Sequence, residues 1–168
     1  MSLESVKQFL AEHAPDLSII EVDTSGATVA MAAAAFGVAP GQIAKTLSLS
    51  MSDKVVVLVA RGDARLDNRK YKDQFGAKAR FLATSEVEKV TGHPVGGVCP
   101  FALPGHLAVY CDVSLRGFDE VLPAAGASNA GVRISPERLA HLVHARWVDV
   151  MQSEESLEAP LSEDCARL

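Results

Sequence analysis

A chain of 168 residues with 48% hydrophobic and 22% charged residues, 12 glycines and 8 prolines has the size and composition of one globular domain, which excludes collagen-like, disordered and coiled-coil classes. Its longest nearly apolar run, Val29 to Ala39, has 11 residues and includes Gly37, well short of the ~20 a membrane helix needs. The formal net charge of −5 sits mostly between Gln152 and Leu168, where five acids face Arg167 alone, so the rest of the chain is nearly neutral and a nucleic-acid partner is not excluded.

In chain order, Leu3, Val6, Phe9 and Leu10 recur at helical spacing, which predicts an amphipathic helix over 3–13 ending before Pro15. Ser18 to Val22 reads as a short strand. Thr24 or Ser25 is the expected cap of an alanine-rich helix from Ala27 to Phe36 that Gly37 stops, and Val38 to Ala44 is a turn or short helix. Leu47 and Leu49 alternate with Thr46, Ser48 and Ser50, the pattern of a half-buried strand. Val55 to Ala60 is an unbroken apolar strand expected to pair with it across Met51 to Lys54. Asp67 to Phe75 is a basic helix ended by Gly76, and Ser85 with Glu88 forms a capping-box pattern for a helix to about Val90.

Thr91 to Gly105 then holds four glycines and three prolines, a density of breakers that excludes helix and central strand. Leu107 to Asp112 resumes as a strand, Glu120 to Ala125 and Gly131 to Ile134 form a further pair, and Ser135-Pro136 opens a helix to about Val143. Arg146 to Met151 is the last strand. The chain is therefore expected to be an α/β protein of the α+β kind, with a mixed, largely antiparallel sheet and helices packed on it. Residues 1–151 would form the domain and 152–168 an acidic, mobile tail. MSLESVKQFL lacks the pattern of a secretory leader, and Cys99, Cys111 and Cys165 are odd in number and far apart; both point to the cytoplasm.

Two elements stand out chemically. Lys45 opens a strand on the same face as Leu47 and Leu49, so its ammonium either meets an anionic partner or ligand, or snorkels to water. The Gly96-Gly97 loop either presents backbone amides to a carbonyl oxygen or anion, or is a proline-stiffened link between helix and strand. Seven of the sixteen bases lie between Arg61 and Arg80, a segment that reads as a polyanion contact or as a solvated helix face. Gly41 to Thr46 lacks the glycines of a phosphate-binding loop. The spacing of His93, Cys99, His106 and Cys111 matches no structural zinc pattern. Cys99 is a weaker candidate nucleophile than a small buried hydrophobe, and His141 with His144 has no ligand partner in view.

Ala34 to Val38 with Gln42 to Leu47, then Thr91 to Phe101, then Ala124-Ala125-Gly126, together resemble the YbaK and prolyl-tRNA synthetase editing-domain family of trans-acting aminoacyl-tRNA deacylases. The resemblance runs in order from about Val22 to Met151. It implies a sheet curving toward a barrel and a cleft for the 3′ end of a mischarged tRNA, with no cofactor and no metal. By the same resemblance Lys45, Gly96 and Gly97 would carry catalysis, with Thr46, His93, Val98, Pro100, Phe101 and Gly126 in contact with substrate. Arg65, Arg69 and Lys72 would meet the tRNA backbone. The implied reaction removes a small amino acid wrongly attached to tRNA. The implied partners are a tRNA and, optionally, an aminoacyl-tRNA synthetase, with a monomer or homodimer as the working form. The alternative is a module that binds aminoacyl-tRNA or a synthetase without hydrolysis. Many members continue the loop as Pro-Phe-Gly, whereas this chain has Ala102.

Overall fold

The computed structural model describes residues 2–26 and 28–152; most of the expected acidic tail, from 153 onward, lies outside them. At the centre of the fold, β2 (Ile43–Met51) and β3 (Lys54–Arg61) form the expected hairpin, antiparallel from Ala44 opposite Arg61 to Met51 opposite Lys54. β3 is the middle of the sheet because its residues Val56 to Ala60 are at most 1% exposed, and only a strand covered on both faces can be apolar at every position. β4 (Ala108–Asp112) lies parallel to β3, and β7 (Arg146–Val148) lies parallel to β4. On the other side β5 (Leu122–Pro123) runs parallel to the start of β2.

The five-stranded sheet has the order β5-β2-β3-β4-β7. It is mixed as expected: its longest ladder is antiparallel, and its other three pairings are parallel. β1 (Ile19–Glu21) and β6 (Ala130–Val132) form a separate antiparallel pair. Bridges from Val121 to Ile134 and from Ala124 to Gly131 tie that pair back to the main sheet, which realises the expected pairing of these two segments.

Alternate residues of β3 serve two cores. Val59 faces α1 (Ser2–His13) and α5 (Pro136–Leu142) through Val6, Leu10, Phe101, Cys111 and Leu139. Val56, Leu58 and Ala60 face α3 (Asn68–Phe75), whose Tyr71 is fully buried among Leu49, Val148 and Val150. α3 begins and ends where the sequence marks it, with the Asp67 carboxylate accepting from the Arg69 and Lys70 amides and Gly76 at φ +77°.

Two caps differ from expectation. α2 (Val29–Phe36) is capped by Thr28, whose hydroxyl accepts from the Met31 amide at 3.1 Å, and not by Thr24 or Ser25. α4 (Thr84–Thr91) starts one residue before Ser85 and follows Ala83, which offers no side-chain cap. The cause is tertiary: the Ser50 amide donates to the Arg80 carbonyl and the Leu82 amide donates to the Ser48 carbonyl, so the chain is held as an edge segment of β2 through Leu82 and must turn immediately afterwards.

Candidate active site

β2 creates the site by being incompletely covered. β5 pairs with its outer edge at Ile43 and Ala44, and the segment around Phe81 pairs with it at Ser48 to Ser50. Between them, among the described residues, Lys45, Thr46 and Leu47 have no strand beside them on that edge. A cavity of about 350 Å³ opens there, within the range of small-molecule sites. Its walls are mainly apolar and include Ala32 and Phe36 of α2, Val87 of α4, Leu122 of β5, and Val95 and Val98 of the glycine loop.

Among the described residues, Lys45 is the one titratable residue that lines the cavity. Its Nζ donates to the carbonyl of Ala64, a neutral oxygen, so two of three ammonium hydrogens remain for another acceptor. Burial holds its pKa below the ordinary 10.5; nearby Asp63 acts against that shift and Arg65 adds to it. Thr46 also lines the cavity, and its hydroxyl oxygen is buried without a partner among the described residues.

The loop from Gly92 to Phe101 is closed on itself. The Thr91 hydroxyl donates to the Val87 carbonyl and accepts from the His93 amide. His93, 1% exposed, reaches across the loop to the Phe101 carbonyl at 2.7 Å through Nε2. A carbonyl only accepts, so Nε2 carries the ring hydrogen and Nδ1 accepts from the Ser2 hydroxyl at 2.5 Å. Burial lowers the pKa of this ring, against the Phe101 bond, which keeps it neutral. No pattern in the sequence links Ser2 to this loop.

The two loop glycines differ in kind. Gly96 lines the cavity with φ +92°, a conformation that favours glycine. Gly97 is buried, donates its amide to the Pro94 carbonyl at 2.9 Å, and is absent from the cavity wall. A Cβ on Gly97 would sit 2.7 Å from the Ala127 nitrogen; its smallness serves the contact between this loop and the Gly126-Ala127 backbone, not entry of a ligand. Gly126 itself, at φ +92°, is packed under Ser2.

Of the expected site residues, the structure therefore brings Lys45, Thr46, Gly96 and Val98 to the cavity. Gly97, His93, Pro100, Phe101 and Gly126 lie buried behind it and shape the loop. Cys99 is fully buried and its thiol is pushed up to about 12, chiefly by burial, so it carries no thiolate at neutral pH. Arg65, Arg69 and Lys72 are exposed on the segment beside the sheet. The cavity walls contributed by Phe81, Val87, Val95 and Leu122 are not legible in the sequence, because residues far apart in the chain meet there only through the sheet order.

Residues 23–142 match the family profile of the aminoacyl-tRNA editing domain. The chain is 42% identical over 157 residues to the protein YwhH of Bacillus subtilis, covering 92% of this chain and all of that one. It is 34% identical over 124 residues to the proline–tRNA ligase of Geobacter sp., covering 73% of this chain but 22% of the ligase. A solved structure of a candidate trans-editing enzyme for prolyl-tRNA synthetase superposes with a TM-score of 0.82 at 31% identity, over 90% of this chain and 98% of the other. With the profile matched over residues 23–142 and the fold shared over 90% of its length with that solved structure, the chain belongs to the aminoacyl-tRNA editing domain family.

Proposed function

We propose that the chain hydrolyses the ester joining a small, wrongly attached amino acid to the terminal adenosine of a tRNA. The observation that carries this reading is the cavity at the uncovered edge of β2, apolar in most of its wall, with Lys45 and the Gly96 backbone on its lining. An aminoacyl ester is already reactive, so a site needs chiefly to orient it, stabilise the developing oxyanion and admit water. Among the described residues the cavity lining holds no Cys, His, Asp or Glu, and its hydroxyls, on Thr28, Thr46, Ser48, Thr84 and Ser128, have no imidazole or carboxylate beside them on that lining to activate them, which favours direct attack by water over a covalent intermediate. In that step water forms the new bond to the ester carbon, the bond to the ribose oxygen breaks, and that oxygen regains a proton. A ribose hydroxyl of the substrate relays the proton. Lys45 supplies its two uncommitted hydrogens to the oxyanion or a terminal phosphate, and the Gly96 amide supports the same oxygen. Thr46 shapes the wall beside the bound ester, and Val98 contacts the amino-acid side chain. His93, Pro100, Phe101, Gly97 and Gly126 act by holding the loop. Arg65, Arg69 and Lys72 meet the tRNA backbone.

The non-catalytic alternative draws on Ala102, where many family members have glycine. Ala102 takes φ +54°, a left-handed conformation of the kind glycine favours, so this departure is compatible with an unchanged loop path and gives the binding-only reading no support. Incubating the protein with a panel of mischarged tRNAs and following loss of the ester tests the proposal and identifies the amino acid. Hydrolysis of none of them, with intact binding, would favour the binding module.

A further inference from the structure

Phe81 is 63% exposed and Val95 is 62% exposed, and both line the cavity. Large apolar groups left in water at the rim of a concave site call for a partner. The position of Phe81 is fixed: the bonds from Ser50 to Arg80 at 2.7 Å and from Leu82 to Ser48 at 2.9 Å hold its backbone on β2. Its backbone is therefore held at a paired edge, which leaves only the side-chain torsions to be ordered on binding. Lys78 and Arg80, close to it in sequence, are exposed and make no ion pair among the described residues. An exposed aromatic ring on a backbone held at the rim and uncommitted cations along the same segment are the two parts of a single-stranded nucleic-acid contact, a stacking surface for a base and charges for its phosphates.

We infer that Phe81 is the stacking platform for the terminal base of the RNA whose 3′ end enters the cavity, with Lys78 and Arg80 beside the phosphates that precede it. The inference rests on the proposed function for the identity of the RNA, while its physical content is separate from hydrolysis. An acyl group inside the cavity leaves its nucleoside at the rim, where Phe81 and Val95 stand. No base-specific hydrogen bond is needed, because stacking accepts any base.

The test uses the full chain with Phe81→Trp, Phe81→Leu and the wild type. The probes are an uncharged single-stranded RNA ending in CCA and the same RNA with an abasic last residue. The indole introduced by Phe81→Trp should lose emission on binding the CCA probe and keep it with the abasic one, the wild type reporting the background from Trp147. Phe81→Leu keeps the apolar character and loses the ring face, and should weaken binding by roughly tenfold. In deacylation it should raise KM while leaving kcat within about twofold. Equal binding of the two probes, or wild-type affinity and KM in Phe81→Leu, would overturn the inference even where hydrolysis is intact. Quenching in a protein that hydrolyses no mischarged tRNA would instead uphold the platform and remove the hydrolytic reading. A wild-type dimer that Phe81→Leu converts to monomer, without change in RNA binding, would assign the rim to a second copy of the chain and overturn the inference.

Discussion

At the scale of single residues, Lys45 and Gly97 show how much of a site can be read before its geometry is known. Alternation along β2 places Lys45 on an otherwise apolar face, and burial lowers its pKa below 10.5. A base whose folded pKa is depressed loses its proton earlier than in the unfolded chain, so the charged fraction falls at a pH below the ordinary lysine value. The alkaline limb of kcat/KM should therefore lie below pH 10.5 and move upward in Lys45→Arg, whose guanidinium stays protonated. A limb that Lys45→Arg leaves in place belongs to another group. Gly97 is legible as a position that matters, but the structure supplies a different reason. The motif links it to the ester, whereas the contact that needs a hydrogen there is with the main chain of Ala127 at 2.7 Å. Gly97→Ala should thus lower stability by about 1–3 kcal/mol, measured by denaturant midpoint, before any effect on turnover is considered. Unaltered stability would show that the loop yields freely at this point.

Among the elements, those specified by neighbours in sequence are readable. The β2–β3 hairpin, α3 between Asp67 and Gly76, and α5 opening at Ser135-Pro136 each carry their own start and stop signals. The start of α4 is not, since pairing of the Arg80 to Leu82 segment with β2 decides it. The same distinction sorts the basic segment. Arg61 is engaged by Asp63 and lies over Phe118, and Lys70 is held by Asp149 and the Met151 carbonyl. Arg69 and Lys72, three apart on α3, are exposed and make no ion pair among the described residues. Replacing both with alanine should weaken tRNA binding and flatten log affinity against log salt by roughly one to two units. Turnover at saturating tRNA should change little. An unchanged salt slope would make this face of α3 a solvated one and send the tRNA elsewhere.

Across the whole molecule, the cavity joins residues from Gly26 to Ala130, and no local pattern announces such a meeting. Two facts of topology produce it. β5 covers the outer edge of β2 only at Ile43 and Ala44, and the Phe81 segment resumes at Ser48. Parallel pairings such as β2 with β5 join strands distant in sequence, so neither the gap nor its walls had a sequence signature beyond the lysine and the glycine loop. That architecture leaves Lys45 as the single titratable group on the cavity lining among the described residues and keeps Cys99 buried with a thiol pushed up to about 12. The most direct measurement is single-turnover deacylation of a mischarged tRNA by the wild type, Lys45→Ala and Cys99→Ser, with circular dichroism to establish folding. The expected result is a loss of roughly 100-fold or more for Lys45→Ala and near wild-type rates for Cys99→Ser. An unimpaired Lys45→Ala, or an aminoacyl thioester trapped on Cys99, would contradict it.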